Sequence, residues 1–226
     1  MIFNMKLATS SQIKEIDKLS TNKYGIPSLI RMEVAGLKSF DIIKKEYNPK
    51  KSLIVVGTGN NGGDGLVIAR YLLLNNYECS IYIVKTSKIR SKDFVTNLSI
   101  IKKLGVKITN DWKNVKIKEY DLIIDGIFGV GLNRPLNSKI NILIKTLNKT
   151  KIPICSIDIP SGLNPDSGKM LSTSIIADST ITFDFAKTGL LTDPGAKFSK
   201  KIFIVKLPTP ETLSKKLNNF YINDNF

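Results

Sequence analysis

The chain has 226 residues, of which 42% are hydrophobic, 23% are charged and none is histidine. That length supports one substantial hydrophobic core, and the absence of imidazole excludes serine–histidine triads and most zinc sites. The formal charge of +15 would suit nucleic-acid binding. However, the basic residues are scattered and include only four arginines, Arg31, Arg70, Arg90 and Arg134. We therefore interpret the charge as a solvated lysine surface without specific nucleic-acid binding.

Three sequence features predict a cytoplasmic protein that does not enter a membrane. No apolar run reaches the ~18 residues that a membrane span requires. Residues 1–12 lack the pattern of a secretory signal. Cys79 and Cys155 lie in apolar, strand-like segments without the spacing of a disulfide framework, and we expect both to be buried free thiols of a reducing compartment.

From the N-terminus, two amphipathic helical patterns precede an alternation of strands and helices. The first helix lies within 10–24, behind serines suited to N-capping, and the second spans 26–47 with Pro27 near its start. Further helices are predicted at 64–76, 92–105 and 138–150, and strands at 52–57, 79–85, 120–129, 152–162, 178–185 and 201–207. Continuous β-branched runs between amphipathic helices predict a mostly parallel sheet covered on both faces.

The order of these elements predicts an α/β fold, namely a three-layer α/β/α, Rossmann-like, doubly wound sheet with two additional N-terminal helices. We expect one domain over residues 1–210, because no internal repeat or low-complexity linker divides it. The remaining segment, 211–226, is predicted to be a C-terminal tail.

The segment GTGNNGGDG, residues 57–65, follows a predicted buried strand and opens the next helix. Its glycines allow a ligand to approach the backbone closely, and the helix N-terminus that follows favours phosphate. The segment is neither GxGxxG nor a P-loop, and Asn60, Asn61 and Asp64 add groups that a phosphate cradle does not need. A ligand site is the favoured interpretation. Helix capping by Asp64 with turn-forming asparagines is the alternative.

Two further polar segments follow later strands, DGIFGVGLNRP beginning at Asp125 and DIPSGLNPDSG beginning at Asp158. An acid at the end of an apolar strand is costly unless it is paired, and without histidine its partners must be backbone N–H groups, lysine or a cation. Asp158 could be structural, and Ser161 could cap a turn. Because the carboxyl ends of parallel strands share one crevice, we favour a catalytic Asp158 that faces Asn61 and Asp125.

Four segments occur in the order GNNGGDGLVIAR, DLIIDGIFGVGLNRPL, SIDIPSGLNPDSG and TITFDFAKTGLL. Together they resemble the NAD(P)HX epimerase family, whose fold is also called the YjeF N-terminal domain, and the resemblance covers residues 8–210. It implies a Rossmann-like protein, usually a homodimer, that interconverts the R and S epimers of hydrated NADH and NADPH (NADHX and NADPHX). A separate ATP- or ADP-dependent dehydratase then restores the S epimer. Segment 211–226 resembles the linker to such a dehydratase domain, although a standalone enzyme is equally open.

The resemblance also implies site residues by motif position. Asp158 would contact the reacting ring and act as the catalytic acid–base. Lys187 is the alternative candidate, as a charge that tunes Asp158 or stabilises an oxyanion. Asn61, Asp125 and Ser161 would hold one potassium ion (K⁺) per subunit, since a hard cation suits oxygen ligands. The dinucleotide would be bound by Asn60, Asn61, Gly62, Gly63, Asp64, Gly129, Val130, Gly131, Leu132, Asn133, Arg134, Pro135 and Asp158.

Three positions depart from the family pattern. The opening helix usually carries asparagine where Val34 stands, and Gly126 and Val130 replace more usual small or hydroxyl residues. We expect the loss of one hydrogen bond near the site and slightly looser contacts to the cation or phosphate.

Two other functions fit parts of the sequence. The same fold occurs in mRNA-decapping scaffolds and in a lipoprotein-binding protein, and the charge of +15 fits an RNA-associated scaffold. Such scaffolds tend to lose the NNGGD and IDIPSG residues, which are intact here. A nucleotide-binding oxidoreductase would need a GxGxxG turn and a ribose-binding acid after its second strand, where YIVK stands instead. The epimerase is therefore favoured, with its preference between NADHX and NADPHX left open.

Overall fold

Seven parallel strands form a sheet at the centre of the fold. The computed structural model describes residues 5–215, 217 and 219–221. In spatial order the strands are β4 (Lys107–Thr109), β3 (Glu78–Ile83), β2 (Lys51–Val56), β5 (Leu122–Gly126), β6 (Ile154–Ile157), β7 (Ser179–Phe183) and β9 (Lys201–Val205). Every neighbouring pair is parallel, as the buried apolar runs predict.

Helices cover both faces of this sheet. The described helices are α1 (Ser10–Asn22), α2 (Ser28–Tyr47), α3 (Asn60–Leu74), α4 (Lys92–Lys103), α5 (Ser138–Asn148) and the short α6 (Thr188–Leu191), α7 (Ala196–Ser199) and α8 (Glu211–Ser214). Ile54 and Val56 of β2 pack with α2, α3 and α4. Leu53 and Val55 pack with α5 on the other side. The predicted three-layer α/β/α fold is confirmed.

The strand order places a crevice above the centre of the sheet. The chain proceeds outward from β2 to β3 and β4, then returns to the other side of β2 with β5 and continues to β6, β7 and β9. The direction of winding therefore reverses between β2 and β5. In open α/β sheets, ligands bind at such a switch point, outside the carboxyl ends of the strands.

A second, small sheet was not predicted. It consists of β1 (Met5–Ala8), β8 (Ala186–Lys187) and β10 (Asn219–Tyr221), in the order β10-β1-β8. Strands of two to four residues are too short to show an alternating pattern. β4, which has three residues, was not predicted for the same reason. The small sheet matters for the site because it carries Lys187.

Two helix starts differ from the prediction. α3 begins at Asn60, four residues earlier than expected, with Gly59 as its N-cap and no side-chain cap. The asparagines of the glycine segment are therefore helical, and the alternative interpretation of turn-forming asparagines and capping by Asp64 is wrong. α1 is capped by Thr9, which forms a capping box with Gln12, rather than by the serines that follow it.

Part of the predicted tail, 211–226, packs against the domain. α8 lies in it, and β10 pairs antiparallel with β1. Leu213 and Leu217 are buried in a cluster with Ile13 and Ile16 of α1. The described residues of this segment therefore belong to the fold rather than to a free linker. The prediction that a further domain follows in a longer protein concerns chain outside these residues.

Both cysteines are free and buried, as predicted. Burial raises the pKa of the Cys79 and Cys155 thiols to about 12, so neither is a reactive thiolate at neutral pH. Within the part of the chain that the structure describes, no helix has the length and apolar character needed to cross a membrane.

Candidate functional site

A cleft of about 490 Å³ opens at the carboxyl ends of β2, β5 and β6, with α1 as one wall. Most of the predicted dinucleotide-binding residues line it, namely Asn60, Asn61, Asp64, Gly129, Val130, Gly131, Leu132, Asn133, Arg134 and Asp158. Pro135 lies instead at an adjoining cavity of about 350 Å³, which Arg134 and Leu132 also line. The convergence of three sequence segments on one crevice is therefore present in the fold.

Gly62 and Gly63 are not among the lining residues. A Cβ atom on Gly62 would lie 2.0 Å from the carbonyl oxygen of Gly57, and one on Gly63 would lie 2.6 Å from the Cε atom of Met32. Both glycines are buried. Their role in the described structure is to let the first turns of α3 pack against β2 and α2, so that Asn60, Asn61 and Asp64 reach the cleft.

Asp158 follows β6 and presents its carboxylate to the cleft. Its backbone is in the left-handed region, with φ of 67°, and its N–H donates to the carbonyl of Ile181 at 2.7 Å. Lys187 Nζ lies 2.6 Å from Asp158 Oδ1, and Val130 N–H donates to Oδ2 at 3.1 Å. A left-handed, non-glycine residue held by several partners is a feature of functional sites.

Gly129 lies close to this carboxylate. A Cβ atom at position 129 would stand 2.7 Å from Asp158 Oδ2 and 3.3 Å from the side chain of Asn61. Glycine therefore allows the loop backbone to approach both the acid and the amide.

Lys187 is almost fully buried, with only 1% of its side chain exposed. Besides the ion pair, its ammonium group donates to Thr182 Oγ1 at 2.9 Å and to the carbonyl of Phe183 at 3.1 Å. All three of its N–H groups are therefore engaged, and the lysine holds the Asp158 carboxylate in one orientation. Lys187 was predicted as the alternative candidate, with a charge that tunes Asp158 or stabilises an oxyanion. The structure places it in direct contact with Asp158.

The Asn61 side chain is buried, and neither its Oδ1 nor its Nδ2 atom has a hydrogen-bond partner among the described residues. An unpartnered buried amide costs on the order of 1–3 kcal/mol. The backbone carbonyl oxygen of Asn61 lies close to Gly126, the residue after Asp125, since a Cβ atom on Gly126 would lie 3.1 Å from that oxygen. The amide is thus available to a ligand or ion.

Asp125 and Ser161 are completely buried beneath the cleft. The Asp125 carboxylate accepts hydrogen bonds from the Ser161 hydroxyl (2.6 Å), the Ser161 N–H (2.9 Å), the Ser156 hydroxyl (2.8 Å) and the Ile127 N–H (3.2 Å). Burial raises its pKa, although these hydrogen bonds oppose the shift. No described lysine or arginine pairs with this acid.

Asn61, Asp125 and Ser161 supply oxygen ligand types that suit a monovalent cation. A buried carboxylate without a cationic partner and a buried amide oxygen without a donor are both groups that a cation would stabilise. The ligand types, amide, carboxylate and hydroxyl, are those that hard cations prefer.

Besides Asp158, four described aspartates line the cleft, namely Asp17, Asp64, Asp93 and Asp184. Removal from water raises the pKa of Asp64 well above its ordinary value, and the charges of Asp158 and Asp17 raise it further. The pKa of Asp17 is also raised, by its partial burial, while Arg31 opposes the shift. The surroundings of Asp64 thus favour its protonated form.

The sequence prediction missed the α1 wall of the cleft. Ile13, Lys14, Ile16 and Asp17 all line it. α1 is fixed there by Arg31 of α2, which is buried and pairs with Asp17 at 2.6 Å. A lone buried arginine in an amphipathic helix has no distinctive sequence signal, so only the packing of α1 over the sheet could reveal it.

Comparison with known proteins agrees with the family resemblance seen in the sequence. A family described as YjeF-related protein N-terminus matches residues 28–189. NAD(P)H-hydrate epimerase of Limosilactobacillus fermentum is 36% identical over 197 residues, covering 87% of this chain and 94% of that protein. The protein of the same name from Lentilactobacillus buchneri is 37% identical over 198 residues, covering 87% and 91%.

One further relative is a longer, bifunctional protein, and another has a known crystal structure. The bifunctional NAD(P)H-hydrate repair enzyme Nnr of Moorella thermoacetica is 32% identical and covers 92% of this chain, which corresponds to 42% of that longer protein. The crystal structure of yeast ynu0 aligns with a TM-score of 0.74 at 26% identity, covering 82% and 83% of the two chains. The chain therefore belongs to the family of YjeF-related protein N-termini, as its sequence predicts, with NAD(P)H-hydrate epimerases among its curated relatives.

Proposed function

We propose that this protein is an NAD(P)H-hydrate epimerase, an isomerase that interconverts the R and S epimers at C6 of the hydrated nicotinamide ring. The names of the curated relatives support the activity. The observation that carries the proposal is the Asp158 carboxylate, which faces a cleft large enough for part of a dinucleotide and is oriented by a buried lysine.

Inversion at C6 requires a bond of the hemiaminal to break and to form again on the opposite face. If C6–N1 breaks, the hydroxyl loses its proton, the bonding pair moves to N1 and an aldehyde forms, which rotates before N1 adds again. If C6–O breaks, the hydroxyl leaves as water after gaining a proton, and water returns to the other face. In both routes a proton moves to or from the C6 oxygen, which is the task of a general acid–base.

Asp158 is the group that we assign to this proton transfer. Its Oδ1 atom is paired with the Lys187 ammonium, whereas its Oδ2 atom accepts the Val130 N–H and lies beside Gly129, which lines the cleft. Lys187 is a positioning residue: its three N–H groups are all committed to Asp158, Thr182 and Phe183. Oδ2 is therefore the atom that would exchange the proton.

Asn61, Asp125 and Ser161 are proposed to hold a potassium ion beneath the substrate. When bound, such an ion would compensate the buried Asp125 charge and would draw the amide oxygen of Asn61 into a fixed position. To bind the ion, Asp125 would share an oxygen that now accepts from the Ser161 hydroxyl.

The remaining proposals concern partners. The S epimer produced here would be the substrate of an ATP- or ADP-dependent dehydratase, and the bifunctional name of the Moorella thermoacetica relative supports a coupling of the two steps. A homodimer is proposed from the family resemblance alone. The residues assigned to the dinucleotide are the predicted ones that line the cleft, together with Pro135 at the adjoining cavity. Gly62 and Gly63 would contribute through the close packing of α3.

The direct test is an NMR assay with purified R-NADHX, in which the S epimer is followed with time. We expect the enzyme to bring either pure epimer to the same equilibrium mixture much faster than the spontaneous reaction. If the R epimer persists at the spontaneous rate at all enzyme concentrations, the proposed function is wrong. A reduced, oxidised or hydrolysed product would instead identify a different reaction.

A further inference from the structure

The loop between β3 and α4 forms the end of the cleft that is remote from Asp158. Thr86, Ser87 and Ile89 of this loop line the cleft. Thr58 of the glycine segment fixes the loop, because its N–H donates to Thr86 Oγ1 at 3.1 Å and its carbonyl accepts from Ser91 N–H at 3.0 Å. The loop is therefore held against the N-terminus of α3.

Four basic residues alternate with these lining residues, namely Lys85, Lys88, Arg90 and Lys92. They make up half of residues 85–92, whereas 34 of all 226 residues are basic, so the loop is about threefold enriched in positive charge. All four are exposed, and none forms an ion pair within the part of the chain that the structure describes. The rim of the cleft thus carries uncompensated cations.

The sheet order sets the distance between this rim and the catalytic acid. β3 is separated from β6 by three strand spacings, through β2 and β5. At ~4.8 Å per spacing, the ends of β3 and β6 lie roughly 14 Å apart. A dinucleotide with its nicotinamide ring at Asp158 and its diphosphate over the N-terminus of α3 would extend its adenosine toward the loop.

The position after β3 corresponds to the ribose-recognition position of dinucleotide-binding folds. There, an acid binds the 2′-hydroxyl of an unphosphorylated ribose, and a nearby arginine accepts a 2′-phosphate. In this chain Lys85 follows β3 and Val84, and the first acid downstream is Asp93, inside α4. Asp93 lines the same cleft, but the four basic residues of 85–92 outnumber this acid, so the charge at this end of the cleft is of the sign that selects phosphate.

We propose that loop 85–92 binds the 2′-phosphate of the adenosine ribose, with Lys88 and Arg90 as its main cationic contacts, and that the enzyme therefore prefers NADPHX to NADHX. Ser87 supports this site, because its oxygen accepts from Ile89 N–H at 3.1 Å and its own O–H stays free to donate. Ile89, which is 82% exposed, offers an apolar surface to the adenine ring. The inference deepens the proposed function and rests on it for the identity of the substrate.

The test compares kcat/KM for NADPHX with kcat/KM for NADHX. In the double variant Lys88→Gln/Arg90→Gln, the ratio should fall at least about tenfold, since hydrogen bonds to charged groups contribute on that scale. Lys102→Gln/Lys103→Gln is the matched control: it removes the same charge from exposed positions at the far end of α4 and should leave the ratio unchanged. An equal fall in both double variants would reveal a general effect of net charge and would overturn the assignment.

A binding measurement separates this inference from the proposed activity. By calorimetry, the unmodified protein should bind adenosine 2′,5′-bisphosphate at least about tenfold more tightly than adenosine 5′-monophosphate, and Lys88→Gln/Arg90→Gln should remove the difference. Selective binding without epimerisation would leave the phosphate site standing and refute the proposed function. Epimerisation without selective binding would refute the phosphate site alone.

Discussion

Asp158 combines backbone strain, a buried ion pair and access to the cleft in a single side chain. Asp158→Asn retains the shape of the side chain but removes its titrating oxygen. We expect this variant to fold and to bind dinucleotide, yet to epimerise at least ~10²-fold more slowly, the usual scale of general acid–base catalysis.

The matched control for this variant is Asp41→Asn, at an exposed position on α2, which should retain full turnover. Rates are measured by NMR with purified R-NADHX. If Asp158→Asn keeps near-normal turnover while Lys187→Met loses it, the lysine is the catalytic residue and the assignment of Asp158 is wrong.

Gly129 tests whether the space beside Asp158 is needed. In Gly129→Ala the new methyl group would stand 2.7 Å from Asp158 Oδ2, so the carboxylate or the loop must move. We expect a loss of kcat of about tenfold or more, because small displacements of catalytic groups are costly, with little change in thermal stability. Gly131→Ala, where a Cβ meets open space, should change kcat much less, and equal losses in the two variants would contradict this explanation.

Asp64 predicts a specific pH dependence of stability. Its pKa is raised in the folded state by burial and by the nearby acids, so the folded protein holds this proton more tightly than the unfolded chain does. The stability that the proton contributes is complete below the ordinary aspartate pKa and is lost as pH rises through the folded-state pKa. Asp64→Asn, which cannot ionise, should therefore gain Tm relative to the parent as pH rises from about pH 4 to about pH 8. A Tm difference independent of pH would contradict a raised pKa.

Among the packed helices, α2 and α3 approach each other closely at Gly36. A Cβ atom on Gly36 would lie 2.2 Å from Val67 Cγ1 of α3. Gly36→Ala should destabilise the protein by about 1–3 kcal/mol, the usual cost of overpacking, measured by urea denaturation. Val67 Cβ would also lie 2.5 Å from the new Cβ atom, so in a double-mutant cycle Val67→Gly should cost less stability in the Gly36→Ala background than in the parent protein. Equal costs in the two backgrounds would show that the clash lies elsewhere.

The N-terminus of α3 shows how one element serves both packing and binding. Its glycines contact Gly57 and Met32, whereas Asn60, Asn61 and Asp64 line the cleft. The motif is therefore recognisable in the sequence, but only the tertiary structure shows which of its residues serve packing and which line the cleft.

For the molecule as a whole, the proposed cation site predicts that thermal stability depends on which monovalent cation the buffer contains. A ligand that binds only the folded state stabilises it by about 2.7 kcal/mol at 100 times its Kd. We expect Tm in potassium chloride to exceed Tm in lithium chloride at equal ionic strength, because lithium is the smaller ion and gives up its water shell less readily than potassium. Asn61→Ala should remove the difference by deleting the unpartnered amide oxygen. Identical Tm values in the two salts for the parent protein would count against the cation site.

The fold class and the site motifs were predictable because local patterns carry them. Continuous apolar runs such as residues 52–56 identify strands that are buried on both faces. The polar segments at 57–65, 125–135 and 158–168 stand out because they directly follow such runs. Parallel topology then requires those segments to meet, and the cleft contains residues from all three.

The start of α3 and the small sheet were decided by tertiary contacts. Helical propensity disfavours glycine, so the pattern alone delays the helix to residue 64, whereas close packing against Gly57 and Met32 makes the glycines necessary and starts it at Asn60. β1, β8 and β10 pair residues far apart in the chain, and such short strands have no stability of their own.

The pairing of Asp158 with Lys187 shows which features follow from the sequence and which depend on the tertiary structure. Sequence established that both residues follow or end apolar strands, which limits where each backbone lies. Their contact at 2.6 Å depends on the left-handed turn at Asp158 and on β8 lying beside β1, which are properties of the assembled fold. The same holds for the unpartnered amide of Asn61 and for the α1 wall held by Arg31, because burial and hydrogen-bond satisfaction are determined by all the elements that surround a side chain.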